Sequence, residues 1–258
     1  GTGSNFAASG GFGPNQVSAI LGLGMFILFA RLLTVKNKMV NMVDFVLLGV
    51  MSYRAIVTFS RGGVITAAFC AVLFLYFHFK QLSPRDRSIL IPKMFVISGV
   101  LTLTWLITVF FSSGLIINRY SNEDAAGRLK SDITTGRSEI IGTELAAFFE
   151  NPITGIGVGK AKEYREDKIG VRAASHNETS RMLSEHGLFG LFGLLVLLFT
   201  PLLFRLKNRK NIFFYSFLAF WFITINHSSM RIAAPALVYG LSLISIIDAK
   251  KNNSLYRE

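Results

Sequence analysis

Apolar stretches long enough to cross a bilayer recur seven times along this 258-residue chain, and nothing else limits its fold so strongly. They fall at about 15–34, 43–59, 63–79, 94–112, 187–204, 211–228 and 232–248. A helix of about 20 residues rises about 30 Å, which matches the hydrocarbon core of a membrane. Composition agrees: 51% of residues are hydrophobic, 24 are Phe, and only 16% are charged. An ordinary soluble domain carries more charge and less apolar residue than this. The chain is therefore expected to be all-α, a polytopic membrane bundle of about seven transmembrane helices.

Charge then orients the bundle. A formal net charge of +12 in a soluble protein would suggest nucleic acid, but here the basic residues are segregated. Lys36 and Lys38 fall in one short connection, and Lys80, Arg85, Arg87 and Lys93 in another. Arg205, Lys207, Arg209 and Lys210 form a third group, and Lys250 and Lys251 a fourth. Their alternation follows the positive-inside rule and places these segments in the cytoplasm; nucleic acid is not an expected partner. The chain starts Gly1-Thr2-Gly3, without a basic n-region or a signal-peptide core, and reads as a fragment lacking upstream helices. Cys70 lies inside an apolar span, so no intrachain disulfide and no cysteine-based metal site is possible.

Between the fourth and fifth spans runs a polar loop, residues 112–186, with ten Lys/Arg against eleven Asp/Glu. Every other connection is short, and a long loop of this kind tends to be functional. On the same outer side lie the Gly-rich N-terminal segment, the S-R-G-G connection at 60–63 and the turn at 228–231. The chain is expected to be one membrane domain, residues 1–258, with residues 112–186 inserted as an outer loop. Within it, Ile140, Ile141, Leu145, Phe148 and Phe149 recur at helical spacing, predicting an amphipathic helix over 137–149 that Asn151-Pro152 stops. It would lie at the membrane surface or against the bundle. A second helix is expected over 176–186, and the charged segment 160–172 between them is expected to be solvated.

A few polar residues stand out as chemistry. Arg61 lies at a helix start and is followed by two glycines, an arrangement suited to a phosphate, though an interfacial arginine touching headgroups has the same address. Arg54, seven residues earlier inside an apolar span, would share a face with Arg61 if the helix ran through. It either faces a polar cavity or snorkels outward. Arg137 opens the amphipathic helix, where the dipole disfavours a cation; either an anionic ligand or an ion pair with Glu139 or Glu144 would account for it. His176, beside Asn177 and near Glu178 and Glu185, is the best acid–base candidate among four histidines. Glu185 opens the fifth span, favourably for the dipole, and His227 and Arg231 flank the last outer turn. No H-E-x-x-H or comparable set occurs, so no zinc site is expected, and the G-I-G-V-G run lacks the spacing and βαβ context of a dinucleotide fingerprint.

In order, G-P-N-Q at 13–16, S-R-G-G at 60–63, G-R at 136–137, N-P-I-T-G-I-G-V-G at 151–159, H-N at 176–177 and E-H-G-L-F-G at 185–190 resemble the O-antigen ligase and polymerase superfamily of bacterial envelope enzymes. The resemblance covers nearly the whole chain. It departs at Ile141, where many relatives place a tryptophan. It implies a membrane glycosyltransferase C-like helical fold in the bacterial inner membrane, with the active side in the periplasm. It also implies metal-independent, cofactor-free glycosyl transfer from a glycan on undecaprenyl pyrophosphate to a lipid A–core or glycan acceptor. Arg61 and Arg137 would then neutralise the pyrophosphate leaving group while His176 deprotonates or orients the acceptor hydroxyl. Arg54, Asn177, Glu185, His227 and Arg231 are the expected substrate contacts. Ligase ranks before repeat-unit polymerase, then transfer to protein hydroxyls. A non-enzymatic transporter of the same lipid-linked sugar is the competing class, but it would place polar groups near the midplane and show repeated halves.

Overall fold

In the computed structural model, residues 2–132, 134, 136–207, 211–228, 230 and 232–244 are described. Arg231, Thr135, Arg209, Lys210, Lys250, Lys251 and the end of the seventh expected span lie outside the described residues. Ten helices follow one another among the described residues: α1 (Pro14–Thr34), α2 (Lys38–Val57), α3 (Arg61–Gln81), α4 (Pro84–Phe111), α5 (Leu115–Tyr120), α6 (Arg137–Glu150), α7 (Ala161–Ile169), α8 (Glu178–Lys207), α9 (Phe214–Ser228) and α10 (Ala234–Ser242). No strand forms among those residues; one isolated bridge joins Glu123 to Leu129.

Five of these helices, α1, α2, α3, α4 and α8, are long and apolar enough to cross a membrane. They bear out a polytopic helical membrane bundle. The sixth and seventh apolar stretches form α9, with 15 residues, and α10, with 9, among the described residues. Their apolarity serves packing between helices. Phe214, Phe220, Trp221 and Ile225 of α9 and Val238 of α10 sit in the main core, with Phe26, Leu32 and Phe74 of α1 and α3.

Helix boundaries follow local signals that hydropathy does not report. Pro14 occupies the first turn of α1, where its missing N–H costs nothing. The Asn37 side chain accepts from the Met39 and Val40 amides and starts α2, and Ser83 Oγ accepts from the Asp86 amide and starts α4. The second of these begins α4 ten residues before the expected apolar span, on the basic side. At that same end Lys93 Nζ donates to the Leu32 and Val35 carbonyls at 2.6 and 3.0 Å, placing a cation on the carbonyl end of α1.

α1 is the central helix and packs against α2, α3 and α9. At the loop-bearing end, a Cβ added to Gly63 would lie 1.9 Å from the Ser18 carbonyl oxygen, so α1 and α3 touch backbone to backbone. The S-R-G-G segment is thus not the turn itself. The turn occupies residues 58–60, and Arg61, Gly62 and Gly63 form the first turn of α3. This also breaks the face that Arg54 and Arg61 would have shared. α2 ends at Val57, Phe59 turns with φ 57°, and Arg54 instead donates from Nη2 to the Ala8 carbonyl at 3.1 Å.

Candidate functional site

The loop of residues 112–186 is built around one buried ion pair. Arg165 Nη2 lies 2.5 Å from Glu144 Oε1, with side-chain exposures of 0% and 2%. Arg165 Nη1 also donates to the Ala173 carbonyl. The second oxygen of Glu144 accepts from Ser180 Oγ at 2.5 Å, and the Ser175 hydroxyl lies 3.2 Å from it. Burial pushes the Glu144 carboxyl up, and Ser180, Ser175 and Arg165 oppose that rise. α6, α7 and the start of α8 are therefore joined through a single carboxylate.

Two expectations change here. The segment 160–172 is not simply solvated: it contains α7, whose Arg165 is wholly enclosed. The buried positions of α6 are Glu144 and Ala147, whereas Phe149 on the expected apolar stripe is 75% exposed. A periodicity reading assigns the carboxylate to the wet face, and tertiary pairing overrides it.

His176 sits inside this frame. Ser175 before it is buried; its hydroxyl accepts the Asn177 N–H at 3.1 Å and lies 2.9 Å from the Asn177 carbonyl. Asn177 after it caps α8, its Oδ1 accepting the Ser180 amide at 3.0 Å. The helix expected over 176–186 is the first limb of α8, and it ends at Gly187, whose φ of 60° and ψ of −138° break the helix. Glu185 thus closes that limb, 5% exposed, and does not open the membrane span as expected. The Gly-rich run grips this break. Ile156 and Gly157 amides donate to the Ser184 and Glu185 carbonyls at 2.9 and 3.2 Å, and the Leu188 amide donates to the Pro152 carbonyl at 2.8 Å. Gly155 and Gly187 both have left-handed φ, and a Cβ on Gly187 would lie 2.5 Å from the Pro152 oxygen. The run is a clasp for the bend in α8.

The clasped limb docks onto the end of α9. Thr179 Oγ1 donates to Asn226 Oδ1 at 2.6 Å, and Glu178 Oε2 accepts the Met230 amide at 3.2 Å. His227, next in the chain, lies against Gly62, where an added Cβ would meet its Nε2 at 2.6 Å. Its Nδ1 is 3.1 Å from the Ile223 carbonyl, so Nδ1 carries the proton; Nε2 is buried with no partner among the described residues. One chain of contacts therefore runs from the His176 segment through α9 to Arg61.

Around that point three arginines gather. Arg61 opens α3, and its Nη1 donates to Asn122 Oδ1 at 2.5 Å. Arg137 opens α6 behind Gly136, which sits at φ 79° and has no side chain to cap the helix. Arg119 of α5, absent from the sequence expectations, is 9% exposed and donates from Nε to the Phe59 carbonyl at 2.9 Å. Burial and then the Arg61 charge push the Arg137 guanidinium below its usual value. Burial and then the charges of Arg61 and Arg137 do the same to Arg119. Among the described residues none of the three forms an ion pair. Glu144, one of two carboxylates suggested for Arg137, is taken by Arg165. The structure thus brings Arg61, Arg137 and His227 together, adds Arg119, and leaves Arg54 on α2 beside an apolar groove with Val46, Val50 and Leu103. Arg119 carried no motif; its one signal was a cation within the apolar run L-I-I-N-R-Y just after a span.

The model of one protein family, described as O-antigen ligase, matches residues 46–195 of the chain. That range includes Arg54, Arg61, Arg119, Arg137, His176, Asn177 and Glu185, and stops before His227. No curated protein matches the chain, and no solved structure matches it.

Proposed function

The chain belongs to the O-antigen ligase family, and from that premise we propose that this multi-pass membrane protein transfers a glycan from undecaprenyl pyrophosphate to an acceptor hydroxyl on lipid A–core. The observation that carries the proposal is the gathering of arginines from separate segments with no carboxylate paired to any of them among the described residues. Confined cations of one sign repel one another, and an anion of high charge between them relieves both the repulsion and the lost hydration. Two helix N-termini, those of α3 and α6, add free amides to the same side.

The reaction fits these parts. The acceptor oxygen forms a bond to the anomeric carbon as the bond from that carbon to the diphosphate oxygen breaks. The electron pair leaves with the diphosphate, where Arg61 and Arg137 neutralise it, and the hydroxyl proton passes to His176. Arginine suits this role because its planar donors meet phosphoryl oxygens in pairs and hold charge at any working pH. The Glu144 network fixes the backbone on both sides of His176, as a general base requires. The basic connections on the opposite end of the bundle support a periplasmic active side in the bacterial inner membrane.

The test uses full-length protein in proteoliposomes with undecaprenyl-pyrophosphate glycan and lipid A–core. His176→Ala is expected to lower transfer by about 10²–10⁴-fold, the usual contribution of a positioned base. Arg137→Ala is expected to cost about 10²–10³-fold, as for loss of one charge-stabilising donor. Intact transfer in both variants would overturn the assignment. Elongation of a second lipid-linked repeat in place of lipid A–core would identify a polymerase.

A further inference from the structure

Segments 59–61 and 119–122 are cross-linked twice. Arg119 Nε donates to the Phe59 carbonyl at 2.9 Å, and Arg61 Nη1 donates to Asn122 Oδ1 at 2.5 Å. Both ends of this link use left-handed backbone at non-glycine residues, with φ of 57° at Phe59 and 61° at Asn122. Such conformations persist only where the surroundings hold them. The Arg119 side chain is thus fixed at Nε by a backbone acceptor, while its two terminal nitrogens, with four N–H donors, make no hydrogen bond to the described residues. The next residue, Tyr120, sets its ring edge-on to Trp105 at 5.1 Å, and its hydroxyl is buried with no partner among the described residues. Both Arg61 and Arg119 stand close enough for their charges to act on that hydroxyl.

A largely buried arginine whose terminal donors have no partner among the described residues, a buried phenol likewise without one and a third cation beside them do not stabilise a fold by themselves. We propose that Arg119 and Tyr120 form a second wall of the anion site and make it selective for a diphosphate over a monophosphate. Arg61 and Arg137 provide donors for one phosphoryl group; Arg119 and the Tyr120 hydroxyl provide them for the other. This rests on the reading of Arg61 and Arg137 as the leaving-group site, and it adds the residues that count the phosphates.

The experiment measures binding of inorganic pyrophosphate and of orthophosphate to the full-length protein in detergent, by calorimetry and by thermal shift. Wild type is expected to bind pyrophosphate at least about tenfold more tightly than orthophosphate. Arg119→Gln is expected to weaken pyrophosphate by about tenfold or more, with orthophosphate changing less than about threefold, so that the ratio collapses. Tyr120→Phe keeps the Trp105 contact and covers the case in which Arg119→Gln fails to fold. It should weaken pyrophosphate by about threefold or more while leaving the melting temperature unchanged or higher, since it removes a buried hydroxyl without a partner. An unchanged selectivity ratio in Tyr120→Phe, or in folded Arg119→Gln, would overturn the inference. Glycan transfer is scored separately: selectivity that depends on these residues in a protein that transfers nothing would sink the proposed function and leave the anion site standing.

Discussion

Two groups of charge lie in and against the 112–186 loop and are solved in opposite ways. Around Glu144 the carboxylate is matched: one arginine and two serine hydroxyls surround it. Around Arg61, Arg119 and Arg137 there are three cations and no paired carboxylate among the described residues. Desolvating an ion costs several kcal/mol unless partners compensate for it. The first cluster compensates internally and so acts as architecture. On the proposed function, the second leaves that compensation to a bound polyanion.

The contrast can be broken by measuring stability, because substitutions should separate by cluster. Glu144→Ala strands Arg165 without a counterion and should destabilise the loop by about 3–5 kcal/mol, seen as early thermal unfolding and proteolysis between α6 and α8. Gly187→Ala forces a side chain into left-handed backbone and against the Pro152 carbonyl. It should cost about 1–3 kcal/mol in the same melt. Asn177→Ala removes the cap of α8 and should cost about 0.5–2 kcal/mol. Arg137→Ala should fall within about 0.5 kcal/mol of wild type or stabilise the protein, because it relieves like-charge crowding. If Arg137→Ala destabilised the fold as much as Glu144→Ala, the division between architecture and site would be wrong.

Much of this is legible in the sequence. The all-helical membrane bundle follows from the apolar stretches, and the amphipathic helix of the loop was placed at residues 137–149 against an observed Arg137–Glu150. What escaped has physical causes. A hydropathy window measures apolarity and does not report that Trp221 of α9 and Val238 of α10 pack against other helices within the core. Helical periodicity puts Glu144 on a wet face, because nothing local announces a partner 21 residues away. Arg54 and Arg61 looked like neighbours only for an unbroken helix; the turn at Phe59 separates them. The Gly-rich run lacks a dinucleotide fingerprint in the sequence, and only the fold shows that its glycines make room for the bend in α8. Arg119 has no sequence signature, since its place depends on the carbonyl of Phe59, 60 residues earlier.

The central claim is that the unpaired arginines hold the diphosphate of a lipid-linked donor. Its most direct test is equilibrium binding of undecaprenyl pyrophosphate to full-length protein in nanodiscs, comparing wild type with the Arg61→Ala/Arg137→Ala double variant at matched thermal stability. Loss of two charge-assisted contacts should weaken binding by about 100-fold or more, and added salt should narrow the gap. Equal affinity in the two proteins would contradict the account.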